Sequence, residues 1–432
     1  MNRSKNPPLL IVAIALSIAL TAADRSQANP SFTFQIIDQT TTGFIDLPQL
    51  SASGQLAYEL SESGVDQVRL FDGTNPAATI FTEPVDGGID SSSLRINDSG
   101  LVAVRSFTSG PGSVSAIQLF DGLNVTQVIT EPDSPDGLLQ GGLTALNNLG
   151  QVTVVGLDAN TAETVEFFDG VTQTSLFTAP TNRVLSRLEL NNAGQLLVQS
   201  TAISVDDAFV VLDLPSSIPQ TVLIGSSFPF ADFNDAAQIA VVRNPVSAPD
   251  TLELLATPGD SPQTIFTAPS QFGVFITDPK LNEIGQVAFV LDEASTPDVQ
   301  PDILYFFDGV SLAPLFVEDP EATLENYALN DLGKFVLATE NSSSEVSLQF
   351  YNGAEFSDVL AVGDTLGGQI VTAIDSFGFQ LNNSGHIAFQ AFLADGREVV
   401  VLARPVPEPV AMWLFVTGLG TVGTLRRRAF RE

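Results

Sequence analysis

The chain has 432 residues, of which 44% are apolar and 16% charged, with no cysteine and a formal net charge of −33. That apolar share supports a large packed core and excludes a disordered chain, while the lack of cysteine excludes disulfides, thiolate metal sites and cysteine nucleophiles. Between residues 30 and 409 there are 10 basic and 48 acidic residues, a net −38, which repels nucleic acid and anionic membrane surfaces.

Residues 1–28 read as a secretory signal. Arg3 and Lys5 supply the positive start, Leu9 to Ala23 the apolar run, and Thr21-Ala22-Ala23 and Ser26-Gln27-Ala28 two small-x-Ala cleavage candidates. Ser31 to Ile37 follows as an apolar-alternating strand that belongs to no repeat.

The rest of the chain is organised by a tag, Asn-x-x-Gly followed by an apolar strand. It stands at Asn97…Gly100, Asn147…Gly150, Asn191…Gly194, Asn282…Gly285, Asn330…Gly333 and Asn382…Gly385. Two worn copies, Ser51…Gly54 and Asn234…Ala237, complete a set of eight with a period of about 47 residues. In the tag, Asn bonds back to the backbone and Gly accepts a left-handed conformation.

The unit around Gly285 displays the grammar. A short strand ends at Leu281, and the tag turn leads into Gln286 to Leu291, apolar on both faces and therefore buried on both. An acidic loop, Asp292 to Asp302, precedes a third strand, Ile303 to Phe307. Asp308-Gly309 reads as a two-residue hairpin turn with positive φ at both positions, and Val310 to Val317 is the fourth strand. Phe71-Asp72-Gly73, Phe120-Asp121-Gly122, Phe168-Asp169-Gly170 and Tyr351-Asn352-Gly353 occupy the same slot, while Leu212 to Pro215 and Thr257 to Asp260 are degenerate.

Four short hairpin-linked strands per unit make a propeller blade, so the expected fold is all-β: a propeller of eight four-stranded blades over residues 31–404. Seven blades, or a β-solenoid, are the alternatives. The last unit has its tag at Asn382 and a turn at Asp395-Gly396, and is one strand short. The unassigned strand at Ser31 to Ile37 would complete it, close the ring and remove a sheet edge. In such a meander the tag and the Asp-Gly turn share one face. The long acidic loops, Glu83 to Asp90, Asp133 to Asp136, Asp292 to Asp302 and Glu318 to Glu321, share the other, which is the expected partner face.

Beyond the repeats, Val406-Pro407-Glu408-Pro409 leads into Val410 to Leu425, sixteen residues without a charge, and then Arg426-Arg427-Arg428. So short a run spans only a thin or thinned bilayer, and the arginines hold its end on the cytoplasmic side. Gly418, Gly420 and Gly423 fit a dinucleotide fingerprint, but no acidic residue follows at the required distance, and small residues are common in membrane helices. This tripartite region, 406–428, resembles the PEP-CTERM sorting signal of Gram-negative bacteria. The resemblance implies recognition by an exosortase-type membrane enzyme and sorting to the envelope, cell surface or extracellular space. The repeated tag resembles the choice-of-anchor proteins with tandem NxxGxxxxx repeats, which implies a surface location and no defined activity; Asn234 to Ala237 departs from that pattern.

Candidate chemistry is sparse. His386 is the sole histidine and takes a strand-start position where other units have Gln or Leu, so multi-histidine metal sites are excluded. There is no G-x-S-x-G. No catalytic or cofactor-binding residue is assigned. Calcium is the one candidate ion, with Asp292, Asp298 and Asp302 as candidate ligands, although no EF-hand loop occurs. The expected role is therefore an exported surface or matrix propeller that is structural or binds polysaccharide, peptide or matrix protein. A carboxylate-dependent hydrolase is the third reading.

Overall fold

The computed structural model describes residues 31–406, apart from 110–113, 132–139, 158–161, 202–206, 215–218, 226–229, 246–247, 270–273, 293–300 and 319–322. The signal-like segment, the sorting-type region with Pro407, Glu408, Pro409, Arg426, Arg427 and Arg428, and Asp298 lie outside the described residues, as do Asp133 to Asp136.

The repeat folds as an eight-bladed β-propeller. Blade 1 runs through Phe44–Leu50, Leu56–Glu62, Val65–Phe71 and Ala78–Thr82, each strand antiparallel to the next. Blade 2 repeats the meander over Gly87–Ile96, Val102–Thr108, Ser115–Phe120 and Val125–Glu131. Blades 3 to 7 follow over residues 140–178, 184–225, 230–267, 275–317 and 323–361. The first strand of each blade lies innermost, and the tag joins it to the second.

The second strands form the inner core, as their unbroken apolar runs require. In blade 1 all but the last residue of Leu56–Glu62 is buried, and blade 7 buries Phe335, Val336, Leu337 and Ala338 completely. Each such Leu or Phe contributes about 1.5–3 kcal/mol through the apolar surface it removes from water. The clusters lie between neighbouring blades, as where Ala240 and Val242 of blade 5 pack with Ile276, Val287 and Phe289 of blade 6.

Ring closure follows the sequence expectation. Phe32–Thr40 pairs antiparallel with Glu398–Pro405 and serves as the fourth strand of blade 8. That blade contains an interrupted first strand, Gln369–Ile374 and Gln380–Leu381, and a second strand, Ile387–Leu393. Ala388, Val400 and Leu402 of blade 8 pack with Ile45, Leu56, Tyr58 and Phe71 of blade 1, so the seam is as apolar as any other interface. Polar ties add to it: the Tyr58 hydroxyl donates to Asp38 at 2.7 Å, and the backbone N–H of Leu50 donates to Gln380 Oε1 at 2.6 Å.

Two expectations are corrected. Asp308-Gly309 is not a turn with positive φ at both residues: φ is positive at Gly309, 96°, and not at Asp308. The chain turns at Gly309 and Val310, with the N–H of Asp308 donating to Ser311 O at 3.0 Å. Asp308 instead stands at the flank, where its Oδ1 accepts the N–H groups of Val310 and Ser311 at 2.8 and 2.7 Å. Asp72, Asp121 and Asp169 do the same; the Asn75 side chain, then the backbone donors, hold the Asp72 carboxyl below the usual range, and backbone donors hold those of Asp121 and Asp169 there. Second, Asp395-Gly396 is not the equivalent of these turns. It joins the second and third strands of blade 8, on the opposite face of the disc, because the N-terminal strand supplies the fourth. The third-to-fourth turn of blade 8 is thus replaced by the two ends of the ring, paired at Phe32 and Pro405 on the tag face.

Candidate functional site

The eight tags converge around the axis and build two concentric rings of hydrogen bonds. Within each tag, the Asn side-chain oxygen accepts the N–H groups two and four residues on, as in Asn147 with Leu149 at 3.1 Å and Gln151 at 3.0 Å. Its amide nitrogen then reaches the next blade. Asn97 donates to Asn147 O, Asn147 to Asn191 O, Asn191 to Asn234 O, Asn234 to Asn282 O, Asn282 to Asn330 O and Asn330 to Asn382 O, all at 2.9–3.0 Å. Asn382 carries the series on to Ser51 O at 3.1 Å, which leaves the step from Ser51 to Asn97 as the one without a clasp. Where the residue after the Gly is Gln, its Oε1 accepts the other amide proton, as at Gln151, Gln238 and Gln286, each at 2.8 Å. These asparagines are 1–5% exposed, and the rings leave their polar atoms paired, as burial demands. Ser51 keeps the acceptor, taking the N–H of Gln55 at 3.0 Å, but has no amide to reach Asn97.

The second ring uses the residue after the Asn. The backbone N–H of Asp98 donates to Asn148 Oδ1, that of Asn148 to Asn192 Oδ1, that of Asn192 to Asp235 Oδ1 and that of Asp235 to Glu283 Oε2. Glu283 and Asp331 continue it onto Asp331 and Asn383, and Ala52 N–H begins it on Asp98; the methyl of Ala52 offers no acceptor to Asn383, so the ring is open at that step. These eight residues, one per blade, line an open cavity of about 370 Å³ at the mouth of the central channel. Four of them carry carboxylates, and each carboxylate accepts at least one backbone N–H of the preceding blade. Asp98, Asp235 and Asp331 also take an amide proton, from Asn148, Asn192 and Asn383. Burial pushes the Glu283 carboxyl up to about 7, helped by the charges of Asp235 and Asp331.

Deeper in the channel wall, Arg187 pairs with Glu189, and Lys280 with Asp278 at 2.8 Å. Asp232 takes the N–H of Leu281 at 2.5 Å. Burial raises the carboxyls of both Glu189 and Asp232, with the cations of Arg187 and Lys280 opposing it.

The tag Gly has a second duty. A Cβ on Gly100, φ 84°, would stand 2.6 Å from Gln55 Oε1 of the preceding blade, and one on Gly285 would stand 2.9 Å from Gln238 Oε1. At the worn tag Ala237 holds φ 61°, and the preceding blade's Gln195 directs its amide to Asp213 at 2.7 Å. His386 takes the Gln slot in blade 8. Its Nδ1 lies 3.1 Å from where a Gly54 Cβ would be and has no hydrogen-bond partner among the described residues; burial, then Arg404, pushes the imidazole pKa down.

The sequence-predicted ion ligands are not brought together in the described part. Asp292 ends the second strand of blade 6, and Asp302 precedes the third, exchanging backbone and carboxylate bonds with Glu318. Among the described residues no group of three or more His, Asp and Glu side chains is placed to hold a metal. The mouth ring was missed by sequence reasoning, although the signal was present. The residue after the tag Asn reads Ala52, Asp98, Asn148, Asn192, Asp235, Glu283, Asp331 and Asn383, a carboxylate or amide in every copy but the first.

No protein-family model matches the chain, and no curated protein matches it in sequence. Solved structures match it in fold. Prolyl oligopeptidase B from Galerina marginata, in its apo form, is 10% identical over 84% of this chain and 56% of that one, with a TM-score of 0.54. This chain therefore spans a little over half the length of that enzyme. The β-propeller domain of the Trilobed protease from Pyrococcus furiosus is 14% identical, over 75% of this chain and 100% of that one, with a TM-score of 0.49. An oligogalacturonate lyase in complex with manganese is 12% identical, over 89% and 100%, with a TM-score of 0.48. At such identities the likeness is one of fold and carries no activity across.

Proposed function

We propose that the chain is an exported, envelope-sorted propeller with a structural or binding role at the cell surface or in the extracellular matrix. One observation carries this reading: the ring is complete between Phe32 and Pro405, and the export-type and sorting-type segments lie directly outside it in sequence. An exosortase-type enzyme would process the Pro407-Glu408-Pro409 region, and extracellular polysaccharide or matrix protein is the partner class. A non-catalytic role is supported by the mouth carboxylates, which hold the neighbouring blade through its backbone and so are committed to the ring's own architecture. Calcium at Asp292, Asp298 and Asp302 stays a proposal, tested by a melting shift at millimolar calcium. The function is tested by intact mass and fractionation in the native host. Loss of the tail near Pro407 only when the exosortase is present supports it, and an intact chain in the cytoplasm refutes it.

A further inference from the structure

The joints between blades are not equally tied. Each tag asparagine clasps the next blade, but at the joint between blades 1 and 2 Ser51 has no amide to offer Asn97. The polar bonds that cross this joint among the described residues run from Ala52 N–H to Asp98 Oδ1 at 2.8 Å and from the Ser91 hydroxyl to Asp46 Oδ2 at 2.9 Å. The seam between the two ends of the ring is tied more heavily. Besides the bonds of Tyr58 and Leu50, Asn382 reaches Ser51 O, Gln380 Nε2 donates to Gln49 Oε1 at 3.0 Å, Ile45 N–H donates to the Glu398 carboxylate, and Arg69 pairs with Asp38 at 3.3 Å.

The lightly tied joint also holds a buried carboxyl. Glu59 stands opposite Asp46 on the first strand and Val68 on the third, and Val68 packs with Ile89 and Val102 of blade 2. Cross-strand partners share a face, so Glu59 points at blade 2. It is 3% exposed, and its Oε2 has no hydrogen-bond partner among the described residues. Burial raises its carboxyl to about 8, and the charges of Asp66, Asp46, Asp90 and Glu83 add to the rise. The arginines of these two blades are engaged elsewhere: Arg69 on Asp38, Arg105 on Asp90, and Arg95 on the carbonyls of Ser92 and Leu94. An ionised Glu59 is repelled by its surroundings and reaches water only if the blades part.

We propose that the ring opens between blades 1 and 2, not at the seam of its two ends, and that a charged Glu59 drives the opening. Packing of Ala57 and Val68 with Ile89, Leu94 and Val102 holds the joint shut while the carboxyl keeps its proton. The folded value lies above the ordinary one, so the closed joint is favoured at low pH and loses that advantage as pH rises through about 8. Opening bares the facing sides of blades 1 and 2 while the paired ends stay together.

The lack of cysteine allows matched reporters. Ala57, Ala288 and Ala388 take the same position in the second strands of blades 1, 6 and 8, are fully buried, and pack with the blade that follows. Full-length Ala57→Cys, Ala288→Cys and Ala388→Cys proteins are treated with a maleimide under native conditions, and each rate is divided by that of the same protein unfolded. Near neutral pH, Ala57→Cys should react at least about fivefold faster than the other two, the worth of one missing buried bond. That excess should grow as pH rises from about 6 to about 9, and Glu59→Gln should abolish the growth. Ser51→Asn should slow Ala57→Cys towards the other two. Val102→Cys, on the blade 2 side of the same joint, repeats the measurement if Ala57→Cys does not fold. Equal rates at the three joints mean that the ring opens only by unfolding as a whole, and a faster Ala388→Cys means that the ends part first; either result overturns the proposal. An excess whose growth with pH survives Glu59→Gln, or that does not grow at all, overturns the part assigned to Glu59.

Discussion

Replacing Asn282 tests whether the tag asparagine is a clasp between blades or only a turn former. Its Oδ1 accepts from the N–H groups of Ile284 and Gln286 at 3.3 and 2.9 Å, and its Nδ2 donates to Gln286 Oε1 and Asn330 O at 2.8 and 3.0 Å. Asn282→Ala removes all four at a site that is 5% exposed. The Asn330 carbonyl retains the bond from Gly333 N–H, and Ile284 N–H sits close enough to solvent to find water, so the main loss is the Gln286 donor and the inter-blade bond. At about 1–3 kcal/mol for each buried group left unpaired, the expected cost is about 3 kcal/mol. Asn341 is a control within the same molecule. It forms the same turn, accepting from Ser343 and Glu345 N–H at 2.9 and 3.0 Å, but it is exposed, and its amide stays within the turn, on Glu345. Asn341→Ala is expected to cost less than about 1 kcal/mol. Guanidinium unfolding followed by far-ultraviolet circular dichroism measures both. Equal costs for the two variants would refute the clasp. Asn282→Asp adds a pH signature: the acceptor survives, but a carboxylate faces the Asn330 carbonyl. Burial raises its folded pKa above the unfolded one, so the penalty is full above the folded pKa and shrinks as pH falls and the acid proton can bond Asn330 O.

Ser51→Asn is expected to supply the missing eighth clasp, onto Asn97 O, and to raise stability by about 1 kcal/mol in the same assay; a neutral or destabilising result would mean the seam cannot admit the amide. Gly100→Ala should cost about 1–2 kcal/mol, because it forces an L-residue to φ 84° while the flexible end of Gln55 swings aside, whereas Ala237→Gly, with φ already 61°, should be neutral or stabilising. Glu59 is buried, its Oε2 has no hydrogen-bond partner among the described residues, and desolvation, then Asp66, pushes it up to about 8, while Glu283 is pushed to about 7. Folded values above the ordinary 4.5 mean stability that is full below that pH and lost as pH rises through 7 to 8. The unfolding midpoint should therefore fall from pH 5 to pH 9, and Glu59→Gln should flatten the fall; an unchanged slope would count against the assignment.

The repeat, its strands and its ring closure were all legible in the sequence, for a local reason. Asn97 to Gly100 and its seven copies fix a turn through bonds within five residues, and a double-sided apolar strand such as Val287–Asp292 has nowhere to go but between two blades. The surplus strand at Phe32–Thr40 and the deficit in the last unit matched because an unpaired sheet edge is costly. What the tertiary structure alone decided is what each tag does to the next one. The bond from Asn282 to Asn330 joins residues 48 positions apart, and no local rule announces that the amide left over from the turn points at a neighbour's carbonyl. The identity of the last turn was likewise undecidable locally. Asp395-Gly396 has the residues of a third-to-fourth turn, and only the pairing of Glu398–Pro405 with the N-terminal strand puts it on the other face. Turn chemistry is set by a few neighbouring dihedrals, whereas the face on which a turn stands depends on how many strands precede it in the closed sheet.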